Sequence, residues 1–89
     1  MLKISQVEPV APGVTLRLEG RVVGPWVAEL REACERVLGA GGSVNLDLAE
    51  VQFLDAHGLA LISSLRSRGV SLLECSPFVA ELLKGTGGT

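Results

Sequence analysis

The stretch that decides the fold is Asn-Leu-Asp-Leu-Ala-Glu-Val-Gln-Phe-Leu-Asp-Ala-His-Gly-Leu, residues 45–59. Leucines that alternate with polar residues predict a buried strand over 44–48. A turn and a second short apolar stretch over 51–54 follow it. Asp55 then precedes a helix that we expect from Gly58 onward, so its carboxylate can accept hydrogen bonds from the free N–H groups of the first turn. Glycine at position 58 allows the start of this helix to lie close to a neighbouring backbone.

Upstream of this stretch, the pattern predicts a hairpin and one helix. Apolar residues alternate over 2–7 and again over 14–18, and prolines and a glycine lie between the two runs. Two such strands across a short turn are typical of an antiparallel hairpin. From Pro25, apolar residues recur at helical spacing, with charged residues opposite, until glycines end the helix after Leu38.

Downstream, the helix that contains Gly58 is predicted to end near Arg68, and a short strand over 70–75 follows. Ser76 and Pro77 are good first residues for a final short helix. The predicted order is therefore β-β-α-β-α-β-α. Strands separated by helices need crossover connections, so we expect an α/β fold in which a mixed sheet has mostly parallel C-terminal strands and carries the helices packed on it.

Length and composition predict a single domain over residues 1–84, followed by a flexible Gly/Thr tail over 85–89. The chain has 89 residues, and its formal net charge of -2 and low aromatic content argue against nucleic-acid binding. No apolar run approaches the roughly 18 residues that span a bilayer, and the N-terminus does not resemble a signal peptide. We therefore expect a cytoplasmic protein without direct membrane insertion, in which Cys34 and Cys75 are buried thiols and no metal or cofactor is bound.

Two segments resemble the STAS domain, the fold of bacterial anti-sigma factor antagonists. The stronger match begins with Asn-Leu-Asp-Leu over 45–48, includes Val51 and continues through Phe-Leu-Asp-Ala-His-Gly-Leu over 53–59. The family typically has Asp-Leu-Ser-x-Val-x-Phe-Ile-Asp-Ser-Ser-Gly-Leu there. A weaker match is Leu-Glu-Gly-Arg-Val over 18–22, where the family has Leu-x-Gly-Glu-Leu-Asp. The resemblance extends over residues 2–84 and implies a single STAS-like domain.

The sequence departs from the family pattern at the positions through which regulatory members of the family are controlled. In regulatory members, the second serine of Asp-Ser-Ser-Gly is phosphorylated by an anti-sigma factor that is itself a kinase. This chain has Ala56 and His57 in place of the two serines, and Val23 in place of the aspartate that ends the weaker motif. An imidazole cannot replace the hydroxyl of a serine kinase site. The resemblance therefore implies that the serine phosphoswitch is absent.

The resemblance implies a non-enzymatic protein-interaction module of the anti-sigma factor antagonist type, with a kinase-like anti-sigma factor or a similar partner. An alternative role is an accessory subunit of a membrane transport complex for lipids or anions, docked on its ATPase. A third is a phosphocarrier that uses His57 as a nucleophile. The sequence does not indicate an oligomeric state. The candidate partner-binding residues are Asp55, Ala56, His57, Gly58, Leu59, Ser63 and Arg66.

Overall fold

The order of strands and helices agrees with the sequence prediction. A computed structural model describes residues 2–8 and 12–87 of the chain, and residues 85–87 by their backbone only. Over this part of the chain the elements are β1 (Leu2–Val7), β2 (Val14–Val22), α1 (Pro25–Gly39), β3 (Val44–Leu54), α2 (Ala56–Ser67), β4 (Ser71–Cys75) and α3 (Pro77–Gly87).

The strands form a mixed sheet with the order β1-β2-β3-β4. β1 and β2 pair antiparallel, which confirms the predicted hairpin, with Leu2 opposite Gly20 and Val7 opposite Thr15. β2 and β3 pair parallel, as do β3 and β4. The predicted fold class, a mixed sheet with parallel C-terminal strands and helices packed on it, is confirmed.

β3 is one long strand, whereas the sequence pattern predicts a strand over 44–48, a turn and a separate apolar stretch. Its register against β2 shifts between the pairs Arg17–Asp47 and Glu19–Glu50 and shifts again farther along. Each shift gives β3 one residue more than β2, as in a β-bulge. The bulges keep the exposed residues 49 and 50 inside the strand, so no turn interrupts it.

The core lies between the sheet and a layer of helices in which α2 contacts both α1 and α3. Leucines of the two central strands are fully buried there, and each helix contributes its apolar side. Trp26 is half-buried against this core. The fully or almost fully buried side chains include Leu18, Leu46 and Leu48 from the sheet, Leu30 and Cys34 from α1, Ile62 and Leu65 from α2, and Val79 and Leu83 from α3.

α2 and α3 have boundaries that differ from the predicted ones. α2 begins at Ala56, two residues before the predicted start, because Asp55 caps it from outside the helix. α3 extends to Gly87, so three residues of the expected flexible tail have helical backbone. Residues 88 and 89 lie outside the described part of the chain, and the flexibility of the tail stays a prediction.

The thiol of Cys34 is predicted to be chemically inert in the folded protein. Burial, and secondarily the charge of Glu35, raise its pKa to about 11. At pH 8 only about a thousandth of it is then thiolate, the reactive form. We expect iodoacetamide to leave Cys34 unmodified in the native state and to alkylate it readily in guanidinium. Burial also raises the pKa of the half-buried Cys75, which we expect to react more slowly in the native state than after unfolding.

Mass spectrometry of the alkylated peptides distinguishes the two cysteines. Equal labelling rates for Cys34 in the native and the unfolded protein would contradict the predicted burial.

Candidate functional site

The candidate site is built around Asp55, the residue that joins β3 to α2. One carboxylate oxygen of Asp55 accepts the N–H of Gly58 at 2.7 Å, which caps the helix as the sequence predicts. The other accepts the N–H of Gly24 at 2.9 Å. Gly24 precedes α1 and has φ of 53°, a conformation that favours glycine. One carboxylate therefore holds the starts of two helices together.

Gly58 brings the first turn of α2 against the end of β2. A Cβ atom built on Gly58 would overlap the carbonyl oxygen of Val22, so only glycine fits without movement. The same carbonyl oxygen accepts the N–H of Asp55 at 3.3 Å. The close approach predicted for Gly58 is present, and its partner is the segment that carries the weaker sequence match. The two matching segments thus meet in the fold.

The electrostatics of the junction keep Asp55 ionised. The N–H groups of Gly24 and then of Gly58 donate to its carboxylate, and they hold the pKa of Asp55 below its usual range. A charged carboxylate is also favoured at the positive end of the α2 dipole. Both oxygens of Asp55 accept hydrogen bonds from backbone N–H groups, and these bonds fix the loop at this position.

α2 presents the other candidate residues on different sides. Ala56 and His57 are exposed on the first turn, and Leu59 is half-buried and packs against the core. Ser63 is half-buried and Arg66 is exposed. Nine residues, about two and a half turns, separate His57 from Arg66, which places them on opposite flanks of the helix. The structure therefore brings residues 55–58 together and separates them from Arg66.

The flank of α2 that carries His57 faces α1 across a cleft of about 360 Å³, which we call the α1–α2 cleft. Arg68 crosses it and donates two hydrogen bonds of 2.9 Å to the two carboxylate oxygens of Glu35. These bonds hold the pKa of Glu35 below its usual value. The residues that line the α1–α2 cleft are Arg31, Glu35, His57, Ala60, Leu61, Ser64 and Arg68.

The α1 side of this cleft is not predictable from the sequence. His57, Ser64 and Arg68 follow one another at helical spacing, so their common flank is visible in the sequence. Arg31 and Glu35 belong to another helix, and no pattern in the sequence places that helix against this flank. Their contribution to the site is visible only in the tertiary structure.

The other flank of α2 borders an open groove of about 840 Å³ between β4 and α3. Its residues include Arg66, Cys75 and Lys84 together with apolar side chains. Outside this groove, Phe53 and Phe78 stack with ring centroids 5.8 Å apart, and each is 43% exposed. The two aromatic rings lie on β3 and on the first turn of α3.

Neither a metal cluster nor a membrane-spanning helix is present in the described part of the chain. No group of three or more His, Cys, Asp and Glu side chains among these residues could hold a metal ion. No helix in residues 2–8 and 12–87 is both long enough and apolar enough to span a membrane.

Comparison with known proteins shows the fold. No protein-family model matches the sequence, and no curated protein matches it. Among solved structures, the anti-sigma factor antagonist SpoIIAA in its unphosphorylated form matches with a TM-score of 0.68 and 16% sequence identity. The match covers 92% of this chain and 82% of that one. The chain therefore has a STAS-like fold, as the sequence resemblance implies.

Replacement of Gly58 by alanine is expected to destabilise the protein by about 1–3 kcal/mol, the usual cost of overpacking. The added methyl group would meet the carbonyl oxygen of Val22, which is part of the sheet. Urea unfolding followed by circular dichroism measures this change. The matched control is Gly39→Ala, because Gly39 ends α1 with no atom within reach of a Cβ. We expect that control to be neutral or slightly stabilising, and an equally neutral Gly58→Ala would contradict the close packing.

Replacement of Asp55 by asparagine is expected to lower the melting temperature at pH 7 by several degrees. Asparagine offers one acceptor oxygen, and its amide NH₂ would face the second backbone donor. Because the folded-state pKa of Asp55 is lowered, its contribution is present above the unfolded pKa of about 3.9 and is lost as the pH falls through the folded value.

The difference in melting temperature between the parent protein and Asp55→Asn should therefore shrink as the pH falls below about 4, the unfolded pKa. Thermal unfolding over this pH range measures it. Glu29→Gln, at an exposed position of α1, is the control for the loss of one carboxylate. A difference that does not vary with pH would argue against the ionised cap.

Proposed function

We propose that this chain is a non-catalytic regulatory module that binds a protein partner through the start of α2. The proposed surface comprises residues 55–59, and Ser63 and Arg66 form its edge on the α3 side. The observation that supports it most directly is the exposure of Ala56 and His57 on a turn that Asp55 fixes to two backbone segments. A surface held in this way loses little conformational entropy on binding, which favours affinity.

The proposed partner class is a kinase-like anti-sigma factor. Support comes from the STAS-like fold shared with an anti-sigma factor antagonist and from the resemblance of residues 45–59 to the regulatory motif of that family. The position of the motif agrees with this role, because the aspartate and glycine that match it, Asp55 and Gly58, shape the turn while the residues between them are exposed.

Control of this docking differs from that of the phosphorylated family members. His57 occupies the position of the phosphorylated serine and is exposed, but its imidazole cannot form the serine phosphate ester. In those members the ester adds a charge of about -1.5 to -2 to the contact surface, which opposes binding. We propose that docking by this chain is not switched by a serine kinase acting at residue 57.

The docking surface predicts that His57→Glu weakens partner binding by about tenfold or more, because the substitution places a negative charge in the proposed contact. Ala60→Arg, at an exposed position one turn farther along α2, should have the same effect without touching the cap. Affinity enrichment from host extract with mass spectrometry identifies the partner. Calorimetry with the purified pair then measures the dissociation constants.

The matched control is Gln6→Glu, which adds the same charge at an exposed position of β1. Gln6 pairs with Leu16, near the end of β2 remote from Val22 and α2. Affinity unchanged in His57→Glu and Ala60→Arg, with a folded protein, would refute the surface. Recovery of a transporter ATPase in place of an anti-sigma factor would refute the proposed partner class while retaining the surface.

A further inference from the structure

The α1–α2 cleft combines several positively charged or hydrogen-bond-donating side chains with one carboxylate. Glu35 uses both carboxylate oxygens on Arg68. Arg31 lies one helical turn before Glu35 and acts on its charge from a distance, but it forms no salt bridge with any residue that the structure describes. Two arginines and one acid line the cleft, and with Arg68 paired to Glu35 the charge of Arg31 is left over, although the chain as a whole carries -2.

The α2 wall of the cleft adds polar groups that suit an anion. The imidazole of His57 and the hydroxyl of Ser64 lie two turns apart on the same flank. Both residues are exposed, so their polar groups are accessible from solvent. Ala60 lies between them and also lines the cleft.

We propose that the α1–α2 cleft binds a phosphate group. Its donors come from two walls, with the guanidinium of Arg31 on one side and the imidazole of His57 on the other, whereas Ser64 lies about 10 Å farther along the helix, at the other end of the cleft. A tetrahedral phosphate offers oxygens in several directions to such donors, whereas the two oxygens of a carboxylate lie in one plane. Arg68 adds positive charge while its pair with Glu35 ties the two walls together.

The phosphate could belong to a free ion or to a phosphorylated peptide, and the same chemistry recognises both. The test is a titration of the full-length ¹⁵N-labelled protein with inorganic phosphate, at an ionic strength held constant with chloride. We expect amide shifts concentrated at residues 31, 57, 60 and 64, and no comparable shifts from chloride alone. A second titration uses a short phosphoserine peptide against its unphosphorylated form.

Arg31→Gln should weaken binding by about tenfold, roughly the effect of losing one charge-assisted contact. Arg36→Gln, an exposed position on the same helix outside the cleft, removes the same charge and should leave binding unchanged. The amide spectrum of each variant also shows whether that variant is folded.

Tighter binding of the phosphopeptide than of inorganic phosphate, with both lost in Arg31→Gln, identifies a peptide as the source. Equal affinity for inorganic phosphate and for the phosphopeptide would show that the phosphate group alone is enough for binding. Shifts spread over the surface, shifts reproduced by chloride, or equal weakening by Arg31→Gln and Arg36→Gln would overturn the site. None of these outcomes depends on the protein partner, so the docking proposal and this one succeed or fail separately.

Discussion

The contact between the first turn of α2 and the end of β2 is the constraint on which the arrangement of this protein depends. Gly58 has no side chain, so the turn can lie against the carbonyl oxygen of Val22. Asp55 then satisfies one backbone N–H on each side of the junction. Since β2 is an inner strand of the sheet, this contact sets the position of α2 relative to the core.

The position of α2 in turn decides what each flank faces. Its buried side, which includes Ile62 and Leu65, is fixed by the core, and the rest of the helix surface divides between neighbours. One flank faces the arginines and the glutamate of the α1–α2 cleft, and the other faces the groove beside α3. A change at Gly58 that displaced α2 would therefore affect both flanks, because both belong to this one helix.

Much of the fold is predictable because its signals are local. Hydrophobic periodicity identifies every strand and helix, and the sequence pattern alone marks Asp55 as a cap and Gly58 as a point of close approach. The continuity of β3 is not predictable, because exposed residues 49 and 50 resemble a turn and stay in the strand through bulges against β2. Likewise, Gly24 gives no local sign that it donates to a carboxylate 31 residues away.

The candidate site also combines features set by the local sequence with features set by tertiary packing. The capped turn depends on neighbours in sequence, whereas the exposure of His57 and the pairing of Arg68 with Glu35 depend on how the helices pack. The identity of residue 57 bears on how the proposed docking is controlled. In the proposed docking surface, residue 57 is a histidine, so no serine phosphate ester can add negative charge there. A phosphate held by Arg31 beside His57 would bring negative charge to the same flank reversibly, so its occupancy would follow ligand concentration instead of kinase activity.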